Sequence, residues 1–328
     1  MCHGRVRRVS ALAAAACCCV LASPAAWSQA YPAKTVRIVV PFAAGGPADI
    51  YARFLGQHLQ EALGQSFIVD DRPGAGSIIG TDIVAKAPAD GYTLLMMSNT
   101  HTVNESLVPK KPFTLMKDFV GVAPVNYSDL LMVVHPSVPA KTVREFVQLA
   151  KAKPRALNYA SSGTGTPYHM AGELFKALAH IEVVHVPHKG SGEARTSVIS
   201  GQVEMMMDAI TTMAPLAKAG KVRALATTGT KRSQIMPETP TVAEAGVPGY
   251  EATIWLGIMT PAGTPKAVID RLNSEITKIT SRPEVRKLWQ EQGAIPLAMS
   301  PAEFDRYLRE DIEKWSKVVK LSGARTDQ

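Results

Sequence analysis

The residues able to recognise a small molecule gather in short loops, each ending an apolar run and opening a helical one. The loop Pro41-Phe42-Ala43-Ala44-Gly45-Gly46-Pro47-Ala48-Asp49 follows VRIVV. Gly45 and Gly46 allow backbone N–H groups to approach a ligand closely, and Pro47 suits the first helical position, where an N–H has no partner to lose. The loop Ser161-Ser162-Gly163-Thr164-Gly165-Thr166-Pro167 follows LNYA. Thr166 is placed to cap a helix that Pro167 starts, so hydroxyls and glycine amides meet at a positive dipole end, a setting suited to a carboxylate. A third polar loop, Ser98 to Asn104 including Asn99, follows YTLLMM, and Asp208 follows VEMMM. Each also has an ordinary reading: a tight turn, a capped helix, a solvated turn and an N-cap aspartate. If Asp208 faces a cleft, it favours a cationic or hydroxyl-bearing group.

Catalytic patterns are thin. There is no G-x-S-x-G elbow to activate Ser161 or Ser162, and no H-E-x-x-H. His185 and His188 are separated by Pro187, which argues against a shared helix face, and no acid or cysteine stands at metal spacing. Gly74-Ala75-Gly76-Ser77-Ile78-Ile79-Gly80 approaches a dinucleotide fingerprint but misses its spacing by one residue. It also lacks the acid about 20 residues on that would hold a ribose. Glu173 reads as a surface or cap-related residue, and Met205 to Met207 as a buried strand.

These loops need a scaffold of strands alternating with helices. Strand-like runs are Val36–Pro41, Phe67–Val69, Tyr92–Met97, Leu130–Val134, Leu157–Tyr159, Glu182–Val186, Val203–Met207 and Val222–Ala226. Helical runs are Ala48–Leu63, Ile78–Lys86, Val143–Lys151, Pro167–Leu178, Glu193–Ser200 and Thr212–Ala219. Three more close the chain at Lys266–Ser281, Glu284–Gln292 and Pro301–Lys320. The alternation predicts an α/β architecture with largely parallel sheets, in two similar runs on either side of Leu130. Chain crossings are expected near Leu130 and Glu251. The 328 residues exceed what one core usually holds, which also favours two lobes.

The N-terminal stretch differs in kind. Arg5, Arg7 and Arg8 precede a small apolar run from Ser10 to Ala22, and Ser28-Gln29-Ala30 has small residues at the cleavage positions. This predicts an export signal cut near Ala30; the apolar run is shorter than the roughly 20 residues a membrane span needs. All four cysteines, Cys2, Cys17, Cys18 and Cys19, fall inside it. A lipid attachment at Cys17 lacks the usual larger aliphatic three residues before it, and the twin arginine lacks its bulky apolar followers. The remaining chain has no cysteine for a disulfide, metal or nucleophile. Its charge is 33 basic against 28 acidic residues, spread evenly, which favours small anions and offers no basic patch for nucleic acid.

Six motifs in order carry a resemblance: YPAKTVRIVVPFAAGGPADI, DDRPGAGSIIGTDIVAKAPADGYTLLMMSNTHTVN, SSGTGTPYHMAGELF, VPHKGSGEA, GQVEMMMD and GVPGYEATIWLGIMTPAGTP. The sequence resembles the Bug family, the periplasmic solute-binding proteins of tripartite tricarboxylate transporters, from Tyr31 almost to the C-terminus. The resemblance implies a type II periplasmic-binding-protein fold: two α/β lobes, a hinge of two crossing strands and a ligand cleft between the lobes. It implies lobes spanning 31–130 with 253–328, and 131–252. Ligands of that family are tricarboxylates, dicarboxylates, acidic amino acids and aromatic acids, held largely by main-chain amides and ordered water. By matching motifs it points to Phe42, Ala43, Gly45 and Gly46, with Ser98 and Asn99, on the first lobe. On the second it points to Ser161, Gly163, Thr164, Gly165, Thr166 and His169, with Asp208 on the far wall. His188, where Tyr is common, Asp71 in place of Asn, and Met207 in place of Phe depart from the pattern; His188 and Met207 bear on ligand identity. The expectation is therefore a monomeric periplasmic receptor for a small organic anion, passing it to membrane permease subunits, with no cofactor, metal or catalysis. A sensory binding protein and an enzyme on the same scaffold are the alternatives.

Overall fold

A computed structural model of the chain describes residues 31–325. The expected export signal and the four cysteines lie outside the described residues.

The first elements are β1 (Val36–Val40), α1 (Pro47–Leu63), β2 (Phe67–Asp71), α2 (Ile78–Ala85), β3 (Thr93–Ser98), α3 (Asn99–Leu107) and the short α4 (Leu115–Asp118). The 16-residue strand β4 (Phe119–Val134) leads to α5 (Val143–Ala152), β5 (Asn158–Ser161), α6 (Pro167–Ala179), β6 (Val184–Pro187) and α7 (Ser191–Ile199). After them come β7 (Met205–Ala209), α8 (Ile210–Lys218), β8 (Arg223–Thr227) and β9 (Thr253–Pro261). The chain closes with α9 (Lys266–Ser281), α10 (Pro283–Gln292), β10 (Ala294–Pro296) and α11 (Pro301–Ser322). No helix among the described residues is long and apolar enough to cross a membrane.

The strands run in the order β2-β1-β3-β9-β4-β7-β5-β6, with β8 and β10 also on β4. β2, β1 and β3 are parallel, and β7, β5 and β6 are parallel. Apolar runs such as VRIVV suit such strands because helices cover both faces. β4 joins the two parallel groups. Its residues Phe119 to Asp129 pair antiparallel with β9, and from Leu130 onward it lies between β7 and β8. The strand changes partners at Leu130, and the chain returns through Thr253 into β9, close to the two expected crossings. Pro124 falls where the β4–β9 register shifts, the kind of irregularity that tolerates a residue without an N–H.

Each group has its own core. Leu95, Met97, Trp255, Phe304 and Leu308 pack in the first, and Met132, Phe146, Tyr159, Phe175 and Met207 in the second. In the first, the ring of Phe304 of α11 packs against Gly121 of β4 and Gly257 of β9; a Cβ at Gly257 would collide with it. A smaller cluster joins Val103 and Leu107 of α3, Met170 of α6 and Trp315 of α11. α11 therefore packs on helices from both groups.

The sequence pattern located the three closing helices to within a few residues. It did not show the first half of β4, β9, β10 or α3. The stretch expected as a polar loop after β3 is the helix α3, whose polar side chains are buried and paired. Thr102 Oγ1 donates to Asp311 Oδ2 at 2.6 Å and Asn99 Nδ2 to the Thr253 carbonyl at 2.9 Å.

Candidate functional site

Between the two groups lies a cavity of about 400 Å³. Its walls are helix starts. α1 contributes Phe42, Ala43, Gly46, Pro47 and Ala48; α2 contributes Gly74 to Ser77; and β3 contributes Ser98, where α3 begins. From the other side come Ser162, Gly163, Thr166 and Pro167 before α6, and His188 to Ser191 before α7. Ile254 and Leu256 of β9 add an apolar wall.

The five helix starts are not equivalent. α6 is capped by Thr166, whose Oγ1 accepts from the His169 amide at 3.4 Å, and α3 by Ser98, whose Oγ accepts from the Thr100 amide at 3.2 Å. α1, α2 and α7 begin at Gly46, Ser77 and Gly190, with no side chain accepting from their first amides. The first amides of a helix have no partner within it, so α1 and α7 start with amides that no side chain caps and a positive dipole, while at α2 the Ile78 amide already donates to the Ala75 carbonyl. The α2 entry is unusual: Gly74, Ala75, Gly76 and Ser77 all have positive φ, at 132°, 46°, 59° and 79°. For Ala75 and Ser77 this conformation costs on the order of 1 kcal/mol or more each.

The two sides meet closely at the rim. A Cβ on Gly190 would stand 2.6 Å from the Ala43 Cβ, and one on Gly76 would stand 3.0 Å from the Thr164 carbonyl oxygen. Arg195 of α7 donates one nitrogen to Asp208 Oδ2 at 2.9 Å and the other to the Gly45 carbonyl at 3.3 Å, tying one group to the other.

Comparison with known proteins decides the family. Residues 51–324 match the model described as the tripartite tricarboxylate transporter family receptor. The chain belongs to that receptor family. It is 34% identical over 297 residues to protein BugT of Bordetella pertussis, covering 90% of this chain and 91% of BugT. It is similar to a Rhodopseudomonas palustris protein solved with adipate (TM-score 0.87, 34% identity, 90% of this chain and 99% of that one). It is also similar to MatC of Rhodopseudomonas palustris, solved with bound malate (TM-score 0.84, 31% identity, 88% of this chain and 100% of that one). The receptor is a solute-binding protein with the type II periplasmic-binding-protein fold: two α/β lobes joined at a hinge, with a cleft between them.

Of the residues singled out from sequence, the receptor brings Phe42, Ala43, Gly46, Ser98, Gly163 and Thr166 to the cavity wall. It does not bring Gly45, Asn99, Ser161, Thr164, Gly165, His169 or Asp208 there. Gly45 is exposed, and its amide donates to Asp49 Oδ2 at 2.8 Å. Thr164 stands at the rim opposite Gly76. The amide of Gly165 donates to His169 Nδ1 at 3.2 Å, which turns both inward. Ser161 is fully buried, with its Oγ 2.6 Å from His185 Nε2 and accepting from the Gly163 amide at 3.1 Å. Asp208, expected on the far wall or as an N-cap, is fully buried behind it. Its Oδ1 accepts from the Ala209 amide at 2.8 Å and its Oδ2 from Arg195. Burial pushes the Asp208 carboxyl above its ordinary range, and Arg195 pulls it back.

The histidines behind the loops are neutral bases. Burial lowers His101 and His169 to about 4 and His185 to about 3. The short Ser161–His185 contact therefore joins a serine away from the cavity to a weak base, with no carboxylate hydrogen-bonded to His185 among the described residues.

Two stretches bordering the cavity carry little signal in the sequence. Gly74 to Ser77 does not fit a dinucleotide by its spacing, and positive φ at four successive residues is a feature that composition alone does not give. The start of α7 appeared only inside a family motif, since HKGSG has little to mark a helix N-terminus.

A second cavity of about 540 Å³ lies at the hinge, lined by Tyr127, Asp129, Gly229 to Ile235, Glu251 and Tyr307. Burial and the neighbouring Glu251 raise Asp129 to about 6. Its lining balances two acids, Asp129 and Glu251, with two bases, Lys231 and Arg232.

Proposed function

We propose that this receptor works outside the cytoplasm, closing its lobes on a small organic anion and handing it to a membrane permease of the tripartite tricarboxylate type. The lobes would span 31–130 with 253–328, and 131–252. One observation carries the reading: helix starts without side-chain caps, from both lobes, border one cavity. A carboxylate there would accept hydrogen bonds from α1 on one side and α7 on the other, each worth roughly 1.5–3 kcal/mol. Because those donors belong to different lobes, the anion favours the closed state and shifts the hinge equilibrium toward it. The adipate and malate held by the two similar proteins support the ligand class. The Ser-Gln-Ala sequence before Tyr31 supports export.

In this reading Phe42, Ala43, Gly46, Ser98, Gly163 and Thr166 touch the ligand together with Ser77, Gly190 and Ser191. Gly45, Asn99, Ser161, Thr164, Gly165, His169 and Asp208 hold those loops in place. The receptor acts as a monomer, without cofactor or metal, and releases the solute unchanged.

Thermal-shift screening of carboxylates, amines and neutral sugars tests the reading, because a ligand that binds only the folded state raises its stability. Stabilisation by carboxylates alone is expected. Stabilisation by amines or sugars with none by carboxylates would overturn it. Pull-down of permease subunits from detergent extracts tests the partner.

A further inference from the structure

Arg195 of α7 stands beside the mouth of the cavity without lining it, and its guanidinium divides between two partners. Nη1 donates to Asp208 Oδ2 at 2.9 Å, and Nη2 donates to the Gly45 carbonyl at 3.3 Å. Asp208 is the fully buried residue of β7 that pairs with Leu131, just past the point where β4 changes partners. Gly45 lies in the loop between β1 and α1. The two bonds therefore reach from one parallel group to the other. Away from the crossing strands and α11, the Gly45 bond is the one hydrogen bond between the two groups among the described residues.

Both halves of this contact are held before they meet. The Arg195 side chain is only 15% exposed, and its charge is tied to a carboxylate with no exposure at all. A planar fork fixed at one nitrogen has little freedom left to lose at the other. On the opposite side, Gly45 has a φ of 78°, its amide donates to Asp49 Oδ2 at 2.8 Å, and Asp49 is paired with Arg53 at 2.6 Å. The carbonyl facing Arg195 is thus braced from behind. Elsewhere on the rim the two sides only touch, at Gly190 with Ala43 and at Gly76 with Thr164. Arg195, Gly45 and Asp208 are all absent from the cavity wall, so their contact needs no solute in the cavity.

We propose that Arg195 is a latch: as the lobes come together its second nitrogen engages the Gly45 carbonyl, so the receptor closes in part without solute and holds a captured solute longer. This role rests on the lobe-closing reading above. Arg195 acts through the α1 loop and not on the solute, which makes it a positioning residue. A bond present only in the closed state shifts the open–closed ratio by its own strength and no more. For one charge-assisted hydrogen bond at an exposed rim that is about fivefold.

Two variants separate the latch from the buried pair. Arg195→Lys keeps a positive charge beside Asp208 but has no fork to reach both partners. The double variant of Arg195→Met with Asp208→Asn removes the latch and the buried charge together. With folding checked by circular dichroism, small-angle X-ray scattering on the purified receptor measures lobe separation without ligand and in excess adipate. Both variants should show a larger ligand-free radius of gyration than wild type, return to the wild-type radius in adipate, and release adipate about fivefold faster in stopped-flow dilution. Folded variants that match the wild-type radius without ligand would overturn the latch, whether or not adipate binds. If adipate then compacts variants and wild type alike, lobe closure stands without the latch. If calorimetry shows adipate bound and no form, wild type included, changes its radius, both fall together.

Discussion

The starts of α6 and α7 face the same cavity from the same lobe, yet they are built in opposite ways. The α6 loop is rich in hydroxyls and glycines, and it satisfies itself. Thr166 caps the helix and donates to the Gly163 carbonyl at 2.7 Å, Ser161 takes the Gly163 amide, and His169 takes that of Gly165. The α7 start is a bare Gly190-Ser191 with no side-chain cap. A loop that looks well equipped for an anion has donors already engaged, while a plain glycine leaves them open. Density of polar residues is thus a poor guide to where a ligand can find free hydrogen bonds.

The contrast can be broken at several points. The largest effect is expected in α7. Arg195→Met leaves the fully buried Asp208 without its partner, which should destabilise the fold by about 3–5 kcal/mol in urea unfolding. Asp208→Asn in the same background should recover most of the loss, because it removes the stranded charge.

Gly190→Val comes next. Its φ of −177° suits any residue, so the backbone is not strained, but the added Cβ meets Ala43 across the rim. The lobes would then fail to close on α7, and calorimetry should show at least 100-fold weaker carboxylate binding with the unliganded melting temperature within about 2 °C of wild type. Retained affinity would mean that α7 does not reach the ligand.

Thr166→Ala should cost about 1 kcal/mol of stability through the lost cap, a drop of roughly 2–4 °C in melting temperature. The ligand effect should be smaller than that of Gly190→Val. The reverse ranking would show that α6, not α7, carries the anion.

The smallest effect is in pH. Burial, with a lesser contribution from Lys176, lowers His169 to about 4, below the roughly 6.5 of an unfolded chain. The unfolded state therefore binds the proton first. The contribution of the neutral imidazole is complete above pH 6.5 and is lost as pH falls from there toward 4. Compared with His169→Gln, which cannot titrate, wild type should lose about 1 kcal/mol on going from pH 7 to 5.5. A parallel pH profile for the two proteins would remove His169 from the self-satisfied α6 loop.

Strand–helix alternation was legible because buried parallel strands are short apolar runs and the closing helices are amphipathic. What escaped has physical causes. α3 reads NTHTVNESL, with too few apolar residues for a stripe; its polar face is buried and paired through Asp311, Thr253 and Thr81. The first half of β4 is interrupted by Gly121, Pro124 and Asn126, and it is a strand only because β9 and α11 fit those interruptions. At the site, sequence chemistry identified loops that border the cavity but not which of their groups remain free. That depends on hydrogen bonds closed inside each loop. Asp208 shows the limit: nothing in VEMMMD announces that an arginine 13 positions earlier already holds it.

Trp315 has a mechanical meaning. Its seam with Val103, Leu107 and Met170 sews α11 to both lobes without following either crossing strand. If the lobes close as proposed, a swing about β4 and β9 alone would shear that seam, so closure has to keep Trp315 and its three neighbours together.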